Sequence, residues 1–355
     1  MWSIILCDIL TTHPPGGLIM HTNTALLAAD YRGGLLDLTH YGYISVVDEN
    51  GNEIYSAGNT DEVIFYRSAS KPIQALPVIA RNLDIKYGLT DEETVLFAGS
   101  HEGESFHTSA LKSIMEKAGL SEDDLIMKPA APGNPAANEE RIRQGLGKSR
   151  LYHNCSGKHA ALMLIQRDMG GDVRDYWKVD SVGEREVLRT MSVFSENPDE
   201  DVKIGIDGCG VPVFAYPVKN MAIAFKNLAC PEKIKDDVLG EAAARYVPRI
   251  NRYPHMIKGT GGLCSLLNAT PNIIAKGGAN GVYALGLKKE RIGIVFKTVD
   301  GSDRCRPIVL REIFRQIGYR DALAEEVLDS FGCGIVVNDN GTPVGETRAE
   351  FSLVK

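Results

Sequence analysis

The 355-residue sequence predicts an α+β fold. Three observations carry that reading. Strand-like segments cluster towards the two ends of the chain, helical patterns fill its middle, and no regular strand–helix alternation or internal repeat occurs. That order suits a sheet that joins N- and C-terminal strands, with helices packed on it, better than a βαβ array.

The elements follow in order. Residues 43–47 are β-branched and aromatic, Asp48-Glu49-Asn50-Gly51 supplies a turn, and 53–56 forms the returning strand of a hairpin. Residues 63–66 read as a strand that runs into Arg67-Ser68-Ala69-Ser70-Lys71-Pro72 and an apolar helical stretch at 73–79. Pro72 fits a first helical turn, where its missing N–H costs nothing. Thr90-Asp91-Glu92-Glu93 is a capping box that opens a helix through Ala98. Residues 105–118 have helical periodicity and stop at Gly119, and Ser121 with the acids after it suits another helix start. Residues 128–137, rich in Pro, Ala and Gly, read as a loop. Helices are expected at 157–169, 181–193 and 231–247. Strands return at 203–206, 272–275, 281–285 and 292–297, the last two as a hairpin. Helices at 303–316 and 320–330 complete the pattern.

A length of 355 gives roughly two domains at about 150 residues each. A sheet shared by both ends points instead to one wrapped domain over residues 21–355, behind a loose leader at 1–20. Hydrophobic residues make up 44% and charged residues 24%, the balance of a soluble globular chain. The net charge of −7 offers no global attraction for nucleic acid or an anionic membrane. The seven cysteines are odd in number, widely spaced and free of C-x-x-C. That usage points to a reducing cytoplasm and away from a secreted disulfide scaffold. Asp8 interrupts the apolar start and no basic residue precedes it, so no signal peptide is read there. No apolar run approaches the length of a membrane span.

Four segments are able to carry chemistry. Ser68-Ala69-Ser70-Lys71 is an S-x-x-K at a strand-to-helix junction; on one helical face its lysine lies within reach of its serine and, if depressed in pKa, can take the serine proton. The bland alternative is a helix cap, and two further S-x-x-K matches, at Ser109 and Ser352, show how common the spacing is. Gly99-Ser100-His101-Glu102-Gly103-Glu104 either forms a hydrated turn or presents Ser100 or His101 to a cleft. His153-Asn154-Cys155-Ser156-Gly157-Lys158-His159 permits a metal site of Cys155 with His153 or His159, and Cys209 from afar; the alternative is buried free thiols. Lys276-Gly277-Gly278 is similar to the K-[T/S/G]-G strand end that lines S-x-x-K sites in serine β-lactamases and penicillin-binding proteins. Lys258-Gly259-Thr260-Gly261-Gly262 lacks the full Walker pattern and is no P-loop.

Together these blocks resemble one family, the asparaginase II or rhizobial-type (class 3) L-asparaginases. The resemblance rests on Tyr66 to Pro77, on Gly99 to Glu104, on Asn154 to His159, on Asp207-Gly208-Cys209-Gly210-Val211-Pro212 and on Lys276-Gly277-Gly278-Ala279, in the family's order. It implies a serine β-lactamase-like fold, a central antiparallel sheet with packed helices. It implies hydrolysis of L-asparagine to L-aspartate and ammonia by a homodimer. Two Ser-Lys pairs are then expected: Ser68, the nucleophile, with Lys71, and Ser100 with Lys276. The resemblance also implies Zn2+ held by Cys155, Lys158 and Cys209, a set that departs from the histidine-containing one chosen on general grounds. Asp207 is expected to take the substrate ammonium, Arg67 to act by charge or as scaffold, and His101 to line the site. Asn280 stands where the family pattern has an acid, and Lys128-Pro129-Ala130-Ala131 stands where it often has Cys-Gly-x-His; both bear on fine specificity. The rival readings are a glutaminase or other amidase, a β-lactamase-like or peptidase-like hydrolase, and a non-catalytic zinc- or amino-acid-binding protein.

Overall fold

A computed structural model describes residues 23–355. The expected leader at 1–20 lies outside the described residues. An antiparallel sheet runs through β10 (Ile335–Val337), β11 (Pro343–Ala349), β1 (Ala25–Arg32), β2 (Leu35–Val47), β9 (Ile292–Thr298), β8 (Val282–Leu287) and β7 (Ile273–Gly277), with β3 (Glu53–Ala57) also on β2. Strands from both ends of the chain therefore share one sheet, and the α+β class stands. A second sheet of three strands has the order β4 (Val63–Phe65), β6 (Pro212–Pro217), β5 (Lys203–Ile206).

Local signals set several of these elements. The β2–β3 hairpin turns at Gly51, whose φ of +80° a residue with a Cβ rarely adopts. Thr90 makes the expected capping box with Glu93, and Ser105–Ala118 ends at Gly119 with φ +58°. The β8–β9 hairpin pairs as expected, Leu287 opposite Ile292.

The structure also departs from the sequence reading. The stretch 25–42 forms β1 and most of β2 although its Ala and Leu residues suit a helix; pairing across the sheet overrides that weak preference. The C-terminal strand β11, with Pro, Gly and polar residues, has no strand pattern of its own and exists through pairing with β1, while the three β-branched residues of β10 are a short edge strand on β11 that the sequence reading passed over. Inside the expected loop at 128–137, Asn134 accepts from the Ala137 N–H at 3.0 Å and caps the helix Pro135–Arg143. The helix Val218–Ala229 follows β6 directly and lies across β2, β8 and β9. It sits so close that a Cβ at Gly293 would stand 2.0 Å from the Ala222 carbonyl oxygen. That contact seals one face of the sheet. On the same scaffold, the end of β7 meets the start of the Arg67–Ser70 turn, and there the polar residues gather.

Candidate active site

Three chain segments and one strand end converge on Ser100. The Arg67–Ser70 turn leads into the short helix Lys71–Gln74, which points the Lys71 side chain inward. The Leu96–Ala98 turn ends at Gly99, and the Ser100 N–H donates to the Ile257 carbonyl at 2.7 Å, which fixes the backbone of the Ser100 loop. Cys155 opens the helix Ser156–Asp168, and β7 delivers Lys276 from the sheet. Glycine allows the approach: a Cβ at Gly278 would lie 2.8 Å from the Tyr66 carbonyl oxygen and 3.2 Å from the Ala69 nitrogen.

Ser100 Oγ lies 3.0 Å from Lys71 Nζ and 3.0 Å from Lys276 Nζ. Lys71 also donates to the Gly99 carbonyl at 2.6 Å and the Asn154 carbonyl at 3.3 Å. Three acceptors match the three N–H bonds of an ammonium. Lys276 has one further acceptor, the Gly277 carbonyl at 2.7 Å. Both lysines are fully buried, and burial lowers both pKa values because it penalises the charged form. Lys276 falls to about 7; burial is the main cause, Cys264 opposes it, and Lys71, Lys258 and Arg306 add to it. Lys71 has the fuller set of acceptors for an ammonium, Lys276 is the amine that burial lowers to about 7, and Ser100 lies between them.

The expected pairing is altered at one point. Lys71 makes its serine hydrogen bond to Ser100 and none to Ser68, three residues earlier. Ser68 Oγ makes no hydrogen bond to a described side chain and is only half-buried, whereas Ser100 is 8% exposed. Arg67 adopts φ +52°, a left-handed conformation costly for a residue with a Cβ. Two hydrogen bonds to Asp207 Oδ1, from Nε at 2.9 Å and from the terminal nitrogen at 2.8 Å, hold it there. Asp207 is therefore tied to Arg67 through one oxygen, and its second remains 4.0 Å from Cys209 Sγ.

His101 lies beside Ser100 but both its ring nitrogens are committed. The Gly103 N–H donates to Nδ1 at 3.1 Å, so Nε2 carries the proton and donates to Ser156 Oγ at 2.7 Å. Burial, then His107 and Lys71, push its pKa well down and keep the ring neutral. His101 is a strut between the Ser100 loop and the Cys155 helix.

Cys155, Lys158 and Cys209 also come together. Lys158 Nζ lies 3.2 Å from Cys209 Sγ, and all three side chains are buried. A hydrogen bond from Cys209, then Lys71, His153 and Lys158, favour the Cys155 thiolate against burial. Among the described residues no group of three or more His, Cys, Asp or Glu could hold a metal. Two thiols and an amine are a donor set that suits a borderline-soft ion. The histidines of the sequence reading each have one ring nitrogen engaged: His159 Nδ1 bonds to the Tyr176 hydroxyl at 2.7 Å, with its Nε2 buried and unpartnered, and the Cys155 N–H donates to His153 Nδ1 at 3.1 Å.

Two neighbours of the site had no motif to announce them. Arg306 donates to the Gly278 and Val282 carbonyls and braces the strand end that bears Lys276. Cys264 Sγ accepts from the Gly277 N–H at 3.1 Å. Their positions depend on chain folding over 12 and 30 residues, which residue spacing does not report.

The family model of L-asparaginase II matches residues 28–349, nearly the whole chain. The chain belongs to the L-asparaginase II family. Membership in this asparaginase family implies an amidohydrolase acting on an amide such as asparagine. No curated protein matches the chain. Among solved structures the asparaginase II chain is similar to a β-lactamase from Mycobacterium bovis at 13% identity, over 82% of this chain and 94% of that one, with a TM-score of 0.40. A putative β-lactamase from Bacteroides dorei has 13% identity over 72% and 84%, TM-score 0.39. A Bacillus glutaminase has 13% identity over 78% and 91%, TM-score 0.35. No helix of the described residues is long and apolar enough to cross a membrane.

Proposed function

We propose that this asparaginase II protein is an L-asparaginase that hydrolyses L-asparagine to L-aspartate and ammonia with a serine nucleophile and two lysines. The observation that carries the reading is the hydroxyl of Ser100 held 3.0 Å from each of two buried lysine amines, on the segment next to Ser68. An unactivated amide needs a nucleophile, a base and a proton donor to the leaving nitrogen. Ser68 Oγ attacks the carboxamide carbon, and its proton enters the Lys71–Ser100–Lys276 chain. The C–N bond then breaks and the nitrogen leaves as ammonia, taking a proton back through Ser100. Water attacks the aspartyl ester and gives a proton to the same chain, the bond from the acyl carbon to Ser68 Oγ breaks, Ser68 Oγ takes a proton back from the chain, and L-aspartate departs. Asp207, through its second oxygen, receives the substrate ammonium, and Arg67 holds Asp207 in place.

The test is ammonia release from L-asparagine and L-glutamine beside hydrolysis of a chromogenic β-lactam. Preference for asparagine is expected. Faster release from glutamine would make the protein a glutaminase, β-lactam hydrolysis alone would place it with the penicillin-directed enzymes, and inactivity on all three would leave a binding protein.

Zinc, when bound, is held by Cys155, Lys158 and Cys209; it supplies a fixed positive charge and ties the start of the Ser156–Asp168 helix to the 207–210 turn. Lys158 binds as a free amine, so occupancy rises with pH. Cys155→Ser and Cys209→Ser should each lower bound zinc at least about tenfold by elemental analysis. Unchanged metal content in both would remove zinc from the proposal. The six cysteines of the described residues are free and five are buried, which supports a reducing, cytoplasmic setting; a homodimer completes the proposal.

A further inference from the structure

We infer that Lys297 binds the α-carboxylate of the amide substrate on the rim of the Ser68 site. The inference rests on the amidohydrolase reading above and adds a residue that none of the motif blocks contains.

Sheet register places Lys297. Lys276 pairs with Ala284, and Val282, two residues earlier on the same strand, pairs with Lys297. Directly paired residues, and residues two apart on a strand, share a face of the sheet. Lys297 therefore stands on the face of Lys276, two strands away and one row nearer the turn at 278–281. That turn abuts the Arg67–Ser70 segment through Gly278.

The ammonium of Lys297 donates to the Asn280 carbonyl at 2.5 Å and to the Thr298 carbonyl at 2.6 Å. Neither partner carries charge. An ammonium has three donors, so one remains. Among the described residues Lys297 makes no ion pair. The carboxylates nearest to it are engaged elsewhere: Asp300 bonds to His40 Nδ1 at 2.6 Å, and Asp303 pairs with Arg306 at 2.6 Å and accepts from the Gly281 N–H. Arg67 and Arg306 are the cations that act on Lys297, and with burial they lower its pKa against Asp300 and Asp303. Asn280, held at φ +58°, contributes no acid at this position. Asp300 and Asp303 act on Lys297 by charge but neither hydrogen-bonds to it, so its third donor is open to an anionic ligand. An amino-acid amide brings that anion as its α-carboxylate, next to the ammonium that Asp207 receives.

The experiment compares wild type, Lys297→Met and Lys297→Arg on L-asparagine and on 3-aminopropanamide, which is asparagine without its carboxylate. Lys297→Met is expected to raise KM for asparagine about 10- to 100-fold, the loss of one charged hydrogen bond, with kcat within about twofold. Lys297→Arg should recover most of that loss, and 3-aminopropanamide should be hydrolysed equally by wild type and Lys297→Met. An unchanged KM, or an equal loss on both substrates, overturns the inference; the second result would mean that Lys297 only braces the Asn280 turn. If wild type releases no ammonia from asparagine, the amidohydrolase reading falls by itself. The subsite is then judged by calorimetric binding of L-aspartate. Weaker binding to Lys297→Met than to wild type supports it, and equal or absent binding overturns it.

Discussion

Ser68→Ala should lower asparagine turnover by about a thousandfold or more while leaving KM and thermal stability close to wild type. The argument turns on reach. Two serines lie at the site, and a nucleophile must meet a substrate carbon that enters from solvent. Ser100 is nearly closed off, and two lysines fix its hydroxyl at 3.0 Å each. Ser68 is half-buried, stands on the turn beside the Asp207–Arg67 pair, and has a hydroxyl not tied to any described side chain. Ser100→Ala should cost less, about a hundredfold, because it cuts proton transfer without removing the attacking atom. Rapid-quench mass spectrometry with asparagine should find the aspartyl ester on the peptide that contains Ser68. An ester on Ser100, or full activity in Ser68→Ala, would reverse the assignment.

The second large effect is expected at Lys276. Only its neutral form accepts a proton from Ser100, and the neutral fraction grows as pH rises through the pKa. Wild-type kcat/KM should therefore climb with pH through about 7, the value to which burial lowers this amine. Lys276→Met should remove that limb and reduce kcat roughly a hundredfold or more. Lys71→Met should be equally damaging for a different reason. It leaves the Gly99 and Asn154 carbonyls and Ser100 Oγ without their shared donor, so lost stability should accompany lost rate. A flat pH profile between 6 and 8 in wild type would show that Lys276 is not the base.

Much of the site was legible in short runs of residues. Ser68 with Lys71, Ser100, the Cys155–Lys158 pair, Asp207-Gly208-Cys209 and Lys276 each lie in a local block, and all of these blocks meet in space. The strand and helix signals that succeeded were local too: the turn at Gly51, the Thr90 capping box and the stop at Gly119. Signals failed where an element owes its existence to a distant partner, as β11 does to β1, or where residue types pull the other way, as in the Ala- and Leu-rich β1.

By itself, then, the sequence determined the class of fold, the family and the chemical groups available to the reaction, because capping, turn geometry and side-chain chemistry are properties of neighbouring residues. Only the tertiary structure decided who touches whom. Lys71 hydrogen-bonds to Ser100 and not to the serine three residues before it, because a buried amine needs acceptors and those come from Gly99, Ser100 and Asn154. His101 is tied between the Gly103 N–H and Ser156. Lys297 reaches the site through the pairing of β8 with β9, a register that packing across the whole sheet sets.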